Sequence, residues 1–433
     1  MPEKQSKMKV LMFGWEFPPF NTGGLGTACY GLTKGLTRNG VEIIFVLPRT
    51  SGMVSEDYMK ILKAENIEID EKKIKFVSIE SILKPYASIN LPIKQFDIEK
   101  IKAENVMYGE DIFAEVFRYA QEAKLIAMIE DYDVIHCHDW LTFPSGIEAK
   151  MAALKKGKNV PLIVHVHATE YDRTVGNPNP KVYEIEKKGM EEADYVIAVS
   201  HYTKNIIVKH YGIPEEKIVV VHNSIDPEPT DDSINEENFK IKQHYKIVLF
   251  LGRLTIQKGP DHFLWVAKKV SEVDENVRFI IAGNGDMFPF IVEEAANLGI
   301  GDKVLFADFL RGRDVDRAYK MADVFVMTSI SEPFGIAALE AMKNGTPVIV
   351  SKQSGVSEVM KSCLVADFWD INEIANKIIA LLKNPELVET LREEMKKEIR
   401  NFSWDKPARK CIDLYKRAIS QIQNRTLSKA DQM

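Results

Sequence analysis

The sequence lacks the features that mark several specialised classes of protein. Its 433 residues include only four cysteines, which are far apart and show no CxxC spacing. This pattern predicts neither a disulfide framework nor a zinc knuckle, and it is typical of a reducing compartment. No stretch reaches the roughly 18 apolar residues of a membrane span, and the N-terminal apolar run is too short for a signal peptide. We therefore expect a cytoplasmic protein with no integral membrane segment.

A strong charge of one sign is also missing. The chain has 57 basic and 63 acidic residues, for a formal net charge of -6. So small an excess argues against nucleic acid as a partner, although a local basic pocket stays possible. The composition, with 45% hydrophobic and 28% charged residues, is that of a globular chain long enough for two or three domains.

Short apolar runs that alternate with amphipathic stretches dominate the sequence. This alternation predicts βαβ units and parallel sheets covered on both faces, an α/β fold. Asp133, Asp194 and Asp323 each stand just before such a run. The predicted strands are KVLMFGW, EIIFVLP, DVIHCHD, LIVHVHA, YVIAVS, IVVVHN, IVLFLGR, RFIIAGN, KVLFADF, VFVMTS and PVIVS.

Eleven strands are too many for one doubly wound sheet, so we expect two domains. The polar segment HNSIDPEPTDDSINEENFKIKQHYK provides a seam. It predicts one domain over 8–228, a second over 245–400 and a helical tail over 401–433 that docks on a domain. The charged stretch 52–107 is interpreted as an irregular insertion, either a solvated excursion or a lid.

The segment SEPFGIAALEAM carries the first candidate site. It follows the strand VFVMTS, so Glu332 lies in the loop at the carboxyl end of a strand, where ligands of open α/β sheets collect. The amides of Phe334, Gly335 and Ile336 begin a helix and favour a phosphate group. Glu340 lies further along this helix. The alternative is that Glu332 only caps the helix and Glu340 faces solvent.

Two further loops of the second domain support an anion site. Arg253 and Lys258 follow the first strand of that domain, and their pairing suits two adjacent phosphates. Gly283 and Gly285 follow the next strand and could admit a flat or phosphorylated ligand. The alternative for Arg253 and Lys258 is that they are ordinary surface charges. The alternative for Gly283 and Gly285 is that they are ordinary turn glycines.

The first domain opens with a strand, a long loop, and Gly23 and Gly24 at the start of a helix. The loop lacks the GxGxxG pattern, so we expect no nicotinamide cofactor. Its backbone amides could still meet an anion or a sugar.

Two strands of the first domain end in histidine pairs. Alternation along a strand places His136 with His138, and His165 with His167, on one face. A four-histidine metal site is conceivable, but single polar residues that bind substrate are the favoured interpretation of such strand ends. The DYD sequence at 131–133 precedes a strand, so we interpret it as a turn and not as a metal-binding motif.

Taken together, these motifs resemble the retaining glycosyltransferases of family four with the GT-B fold, in particular the glycogen synthase-like enzymes of bacteria and archaea. The resemblance covers nearly the whole chain. It rests on Glu332-Pro-Phe-Gly with Glu340, the GR…KG element with Arg253 and Lys258, the GGLG loop and the HDW strand end. It implies two Rossmann-like doubly wound domains that face each other across a cleft, with a C-terminal helix that packs back.

The resemblance also implies roles for individual residues. Arg253 and Lys258 would clamp the diphosphate of a nucleotide-sugar, helped by the amides of Gly23, Gly24 and residues 334–336. Glu332 would hold the transferred sugar, and Glu340 the nucleotide ribose, near Gly283 and Gly285. Asp139 and His167 would line the reacting centre. Metal and cofactor would not be required, because cations and helix amides would neutralise the diphosphate.

The reaction implied is transfer of a sugar, glucose in the first instance, from UDP- or ADP-glucose to an α-1,4-glucan with retained configuration. Asn21 stands where bacterial glycogen synthases carry a lysine, and the stretch HATEYDRTVGNPNP also departs from their pattern. Another sugar or a small-molecule acceptor is therefore an alternative, as are a GT-B epimerase, a phosphorylase-type enzyme and a non-catalytic nucleotide-sugar sensor. The oligomeric state is not predicted.

Overall fold

The chain folds around two parallel β-sheets. The structure is a computed structural model that describes residues 7–18, 23–50, 73–81, 110–227 and 239–430. The strands of the first sheet are β1 (Lys9–Phe13), β2 (Glu42–Thr50), β3 (Ile74–Ser81), β4 (Val134–His138), β5 (Leu162–Val166), β6 (Tyr195–Ala198) and β7 (Ile218–Val220). Those of the second are β8 (Lys246–Leu251), β9 (Val277–Ala282), β10 (Val304–Ala307), β11 (Val324–Met327), β12 (Val348–Ser351) and β13 (Leu364–Ala366).

Helices connect the strands on both faces of each sheet. In the first domain they are α1 (Gly24–Arg38), α2 (Glu110–Ile129), α3 (Phe143–Lys155), α4 (Glu170–Arg173), α5 (Pro180–Glu192) and α6 (His201–Ile206), which continues into a π-helix at Ile207–Tyr211. In the second they are α7 (Pro260–Ser271), α8 (Phe288–Asn297), α9 (Arg313–Met321), α10 (Ile336–Lys343), α11 (Ile371–Lys383) and α12 (Pro385–Glu398), followed by α13 (Asp405–Ala430).

Both sheets have the strand order of a doubly wound Rossmann-like fold. The first runs β3-β2-β1-β4-β5-β6-β7 and the second β10-β9-β8-β11-β12-β13, and neighbouring strands within each sheet are parallel. In each sheet the order therefore reverses once, between β1 and β4 in the first and between β8 and β11 in the second. Such reversals leave a crevice at the carboxyl ends of the strands.

The three aspartates that precede predicted strands have a common structural role. Asp133, Asp194 and Asp323 each accept the backbone N–H at the start of the neighbouring strand, from Lys9 at 2.8 Å, Leu162 at 2.8 Å and Ile247 at 2.7 Å. Each carboxylate thus accepts a hydrogen bond from a backbone amide at the beginning of an interior strand. This contact helps to fix the register of that strand relative to its neighbour. Asp131, the other acidic residue of the DYD sequence, pairs with Lys158 at 2.8 Å.

The last helix returns to the first domain. Trp404 is 5% exposed and lies over Gly31 of α1, where a Cβ atom would come within 2.0 Å of the indole ring. Farther along α13, Tyr415 is fully buried, and its hydroxyl lies 2.6 Å from His136 Nδ1. The predicted docking of a C-terminal helix is thereby confirmed, and its partner is the N-terminal sheet.

Two strands of the described sheets, β3 and β13, are not among those predicted from the sequence. β3 lies inside the stretch interpreted as an irregular insertion and pairs with β2 from Ile43↔Ile74 to Thr50↔Ser81. It is an edge strand, and in its part with described side chains, 74–77, Ile74 and Phe76 are buried on either side of the exposed Lys75. β13 has only three residues, too few for a periodic pattern. The rest of 52–107 lies outside the described residues.

The predicted domain boundaries stay predictions. The first sheet falls within 8–228 and the second within 245–400. Residue 228 lies outside the described residues. One contiguous buried apolar cluster contains residues of both sheets, such as Phe45 and Phe325.

Candidate active site

The loops predicted to bind a ligand lie at the two points where strand order reverses. In the second domain, β8 leads into the loop with Arg253 and Lys258, and β11 leads into the loop with Glu332. In the first, β1 leads towards Gly23, and β4 leads directly to Asp139. All four loops thus leave the carboxyl ends of the strands that flank a crevice.

Glu332 and Lys258 are in direct contact. Lys258 Nζ donates to Glu332 Oε2 at 2.6 Å, and Ser329 Oγ donates to the same oxygen at 3.1 Å. Glu332 is 7% exposed, so this cation stabilises a nearly buried carboxylate. An ammonium group has three donors, so the pairing with Glu332 leaves Lys258 able to bind a phosphate as well. Arg253 lies in the same loop with an exposed side chain.

The loop after Glu332 begins helix α10. Gly335 has φ 104°, a left-handed conformation that favours glycine, and directly precedes the helix. The first N–H groups of a helix have no partner inside it, so the amides at Gly335 and Ile336 are suited to an anion. Phe334 is buried, and its carbonyl accepts from Val356 N at 2.6 Å.

Glu340 lies on the second turn of α10, partly buried. Tyr319 donates its hydroxyl to Glu340 Oε2 at 3.2 Å. Burial raises the pKa of the Glu340 carboxyl, and the hydrogen bond from Tyr319 opposes this shift. The hydrogen bond orients the carboxylate and argues against the alternative of a side chain that merely faces solvent.

Gly283 and Gly285 pack against the loop that carries Arg253. A Cβ atom at Gly283 would lie 1.9 Å from the carbonyl oxygen of Gly252, and one at Gly285 would lie 2.2 Å from that of Leu254. Close backbone approach therefore explains both glycines. They support the shape of the candidate phosphate-binding loop, and their predicted contact with a nucleotide stays a prediction.

Gly23 and Gly24 begin helix α1 in a more open environment. A Cβ atom at either position would meet no atom within 4 Å among the described residues, in contrast to Gly31 and Gly35 of the same helix. Packing against the described part of the chain therefore does not explain these two glycines. Their predicted approach to a phosphate stays a prediction, and Asn21 lies outside the described residues.

Asp139 organises the turn that carries His167. Its carboxylate accepts from His167 N at 2.6 Å and Ala168 N at 3.3 Å, and it pairs with Arg173 at 3.1 Å. The backbone of Asp139 has φ 58°, which is uncommon for a residue other than glycine and turns the chain sharply after β4. Burial raises the pKa of Asp139, and Arg173 opposes that shift.

Arg173 is surrounded by acidic side chains. Besides Asp139, its guanidinium contacts Glu186 Oε1 at 3.0 Å and Glu170 Oε2 at 3.9 Å. Burial raises the pKa of Glu186 to about 8, and Arg173 only partly offsets this effect. One cation thus faces three carboxyl groups.

The two histidine pairs come together on the neighbouring strands β4 and β5, a convergence that strand alternation alone does not predict. His138 Nδ1 lies 2.9 Å from His167 Nε2, and His136 Nε2 lies 3.3 Å from His165 Nδ1. Neighbouring rings stack with centroids as close as 4.2 Å. Burial lowers the pKa of all four, that of His167 to about 3, so the imidazoles are neutral.

The histidine cluster is one of three groups in the described part of the chain that could hold a metal ion. His136, His138 and His165 each offer a ligand atom within 4.8 Å of the other two. The other groups combine Cys29 with His138 and His167, and Glu358 with His201 and His222. The two histidine–histidine hydrogen bonds already occupy four of the eight ring nitrogens in the cluster. Sugar transfer without a metal stays a prediction.

Several residues that were not predicted as site residues form hydrogen bonds between the first and the second domain. Ser331 Oγ donates to Asp172 Oδ1 at 2.6 Å, and Ser200 Oγ donates to the Pro333 carbonyl at 2.6 Å. Glu358 accepts from the backbone N–H of His201 at 2.9 Å and of Tyr202 at 2.8 Å. The pattern Thr169-x-x-Asp172 is a capping-box signal that could have located helix α4. No pattern in the sequence indicates which residue of one domain forms a hydrogen bond with which residue of the other.

Comparison with known proteins agrees with this architecture. The model of "Glycosyltransferase Family 4" matches residues 22–229, and that of "Glycosyl transferases group 1" matches residues 231–401. An uncharacterized glycosyltransferase of Methanocaldococcus jannaschii is 31% identical over 431 residues, covering 96% of this chain and all of that protein. The chain belongs to the family-four glycosyltransferases with the GT-B fold.

Characterised relatives are more distant and differ in their acceptors. A D-inositol 3-phosphate glycosyltransferase of Salinispora tropica is 26% identical over 330 residues, covering 70% of this chain and 67% of that protein. A glycogen synthase of Mycobacterium tuberculosis is 24% identical over 366 residues, covering 82% and 80%. These relatives support a glycosyltransferase without distinguishing between the two acceptor classes.

Solved structures show the same fold. Sucrose-phosphate synthase from Thermosynechococcus elongatus superposes with a TM-score of 0.73 at 18% identity, covering 96% of this chain and all of that one. The GT-B architecture predicted from sequence is thereby confirmed. No helix among the described residues is both long and apolar enough to cross a membrane.

Proposed function

We propose that the protein transfers glucose from UDP- or ADP-glucose to an α-1,4-glucan with retention of configuration. One observation carries this proposal: the acidic loop at Glu332 and the basic loop at Lys258 meet at 2.6 Å on the switch point of the second sheet. Such a pair would bind the sugar through the carboxylate and the adjoining diphosphate through the ammonium group and the amides of α10.

In this proposal the bond between the anomeric carbon and the diphosphate oxygen breaks as the acceptor oxygen bonds to the same face of the sugar. The acceptor proton passes to the departing phosphate oxygen. Arg253, Lys258 and the amides near Gly23 and Gly335 stabilise the charge that develops on the diphosphate, so no metal ion is required. Asp139 and His167 line the opposite wall of the crevice, and Glu340 binds the ribose.

A small-molecule acceptor is the second candidate. Asn21 replaces the lysine of bacterial glycogen synthases, and the inositol phosphate glycosyltransferase is at least as similar in sequence as the glycogen synthase. The two candidates share the donor site and differ only on the side of the first domain. The cytoplasmic location also stays a prediction.

A panel of nucleotide-sugars tests the proposal directly. UDP-glucose and ADP-glucose are incubated with the protein, with and without glycogen and after treatment with a chelator, and release of nucleoside diphosphate is measured. We expect release that glycogen stimulates and the chelator does not abolish. Transfer only to a small acceptor such as an inositol phosphate would favour the second candidate, and no release from any donor would contradict both.

The basic loop can be tested separately by calorimetry. Arg253→Ala and Lys258→Ala should each weaken binding of UDP or ADP by about 1.5–3 kcal/mol, the usual contribution of a hydrogen bond to a charged group. Lys268→Ala removes a lysine from α7, away from the loop, and serves as the control. Unchanged nucleotide affinity in both loop variants would refute the diphosphate clamp.

A further inference from the structure

The segment that carries Glu332 is held on both sides by the first domain. Ser331 precedes Glu332 and donates to Asp172, and Pro333 follows it and accepts from Ser200. Both hydrogen bonds cross from one domain to the other. The orientation of Glu332 therefore depends on contacts outside its own domain.

Ser331 lies in a directed chain of hydrogen bonds. Its Oγ is 2.6 Å from Asp172 Oδ1 and 3.0 Å from the Tyr202 hydroxyl. Ser331 donates its one proton to Asp172, so the Tyr202 hydroxyl donates to Ser331. Burial raises the pKa of Asp172, and the hydrogen bonds from Ser331 and Thr169 oppose that shift. Ser331 is 6% exposed and Asp172 fully buried, so water does not compete effectively for these partners.

Asp172 also holds the turn that follows His167. Its other oxygen, Oδ2, accepts from the backbone N–H and from the hydroxyl of Thr169, each at 2.7 Å. The turn from His167 to Thr169 is thus bound at one end by Asp139 and at the other by Asp172. A single carboxylate joins the backbone that carries His167 to the residue next to Glu332.

The surrounding packing leaves little freedom at this junction. A Cβ atom at Gly355 of the second domain would lie 2.3 Å from the Pro333 carbonyl and 2.5 Å from Ser200 Cβ. Helix α4, which contains Asp172, also contacts the turn Ile256–Lys258. One short helix of the first domain therefore lies against both the acidic and the basic loop of the second.

We propose that Asp172 is a positioning residue that, through Ser331, aligns Glu332 with the His167 turn when the two domains are in contact. The inference rests on the proposed function, because it assigns Asp172 a role in the same transfer reaction. Asp172 does not itself touch the donor. Its effect is expected on the reaction step and not on nucleotide binding, because its side chain is hydrogen-bonded to Thr169 and Ser331 and to none of the residues assigned to the nucleotide.

The test uses Ser331→Ala, which removes the hydroxyl and leaves Asp172 in place. With whichever of UDP-glucose and ADP-glucose the wild-type protein turns over, we expect kcat to fall about ten- to a hundred-fold, the usual range for a buried hydrogen bond to a charged group. The dissociation constant of the free nucleoside diphosphate should stay within two-fold. Ser271→Ala is the matched control, because Ser271 is also a buried serine of the second domain but its hydroxyl has no hydrogen-bond partner in the described structure.

A double-mutant cycle separates positioning from general destabilisation. If the two groups act as one unit, Asp172→Asn combined with Ser331→Ala should lower kcat no further than the more severe single variant. Ser331→Thr, which keeps a hydroxyl, should recover part of the activity. Should a variant fail to fold, the melting temperature will show it, and Tyr202→Phe then tests the same chain from its other end, with a loss in kcat expected.

The outcomes distinguish the inference from the proposed function. If the wild-type protein transfers sugar and Ser331→Ala matches the control in kcat, the positioning role is wrong and the proposed function stands. Equal losses in nucleotide affinity and kcat would also overturn it. If the wild-type protein releases no nucleoside diphosphate from either donor, the proposed function itself fails.

Discussion

At the residue scale, the site depends on charges that are paired before a ligand arrives. Glu332 is neutralised by Lys258, and Asp139 by Arg173, while the four buried histidines are neutral. Each pairing orients the carboxylate and offsets part of the cost of burying it. Glu332 and Lys258 were predicted from sequence because each stands in a loop after a buried strand. Arg173 was not, because a single arginine in a helix has no pattern that indicates burial.

Replacing Glu332 by Gln should separate binding from transfer. The variant keeps the shape of the side chain and removes its charge, so we expect UDP or ADP affinity within a few-fold of wild type. Transfer should fall by roughly 10²–10³ in kcat, as for the loss of one electrostatic contact to a transition state. Glu293→Gln on the exposed face of α8 is the control, and turnover equal to that control would remove Glu332 from the mechanism.

At the scale of elements, close backbone approach determines the shape of the loops. The buried side chain of Trp404 holds the C-terminal helix against the first domain. Glycines were predicted near the nucleotide, and the structure places Gly283 and Gly285 directly under the backbone of residues 252–254. That contact joins loops from different strands, so it follows from strand order and not from local sequence. The docking of α13, by contrast, was predictable from its amphipathic pattern, although its partner was not.

Gly285→Ala should disturb the basic loop. The added methyl group would overlap the Leu254 carbonyl, so we expect a loss of about 1–3 kcal/mol in the free energy of unfolding, the range for overpacking. Affinity for UDP or ADP should fall as well, because residues 252–254 must shift. Gly301→Ala, where the nearest atom is 4.0 Å away, is the control; a Gly285 variant as stable and as tightly binding as that control contradicts the account.

Trp404→Ala tests the return of the C-terminal helix. Removing a buried tryptophan should lower the free energy of unfolding by about 3–5 kcal/mol. Trp369→Ala removes a tryptophan that is 58% exposed and should have little effect on a urea unfolding curve. Equal curves for the two variants would show that α13 does not stabilise the first domain.

At the scale of the whole molecule, we expect the free energy of unfolding to decrease as the pH becomes mildly acidic. Burial lowers the folded-state pKa of His136, His138, His165 and His167, so as the pH falls below about 6.5 the unfolded chain binds more protons than the folded chain at these positions. Each histidine then contributes stability above pH 6.5 that is lost as the pH falls. The loss per group reaches about 1.4 kcal/mol for each pH unit.

Urea unfolding at a series of pH values measures this effect. The free energy of unfolding should decrease from pH 7 to pH 5.5, with a slope that corresponds to uptake of more than one proton. Buried Glu186, whose pKa is raised to about 8, shifts stability in the opposite sense across this interval, so the observed slope is that of the four histidines less this one carboxyl group. A flat profile would show that the cluster is not buried in its neutral form.

The sequence by itself determined the alternation of strands and helices, the two-domain α/β architecture and the loops that face the crevice, because hydrophobic period and strand-end motifs are local properties of the chain. It did not reveal β3, an edge strand within a charged stretch, or β13, which is too short to show a period. Only the tertiary structure decided the partners of Asp172, Arg173 and Ser331. The contact of Arg173 with Asp139 spans 34 residues and that of Ser331 with Asp172 spans 159, and such pairings exist only once the sheets have formed and the domains are in contact.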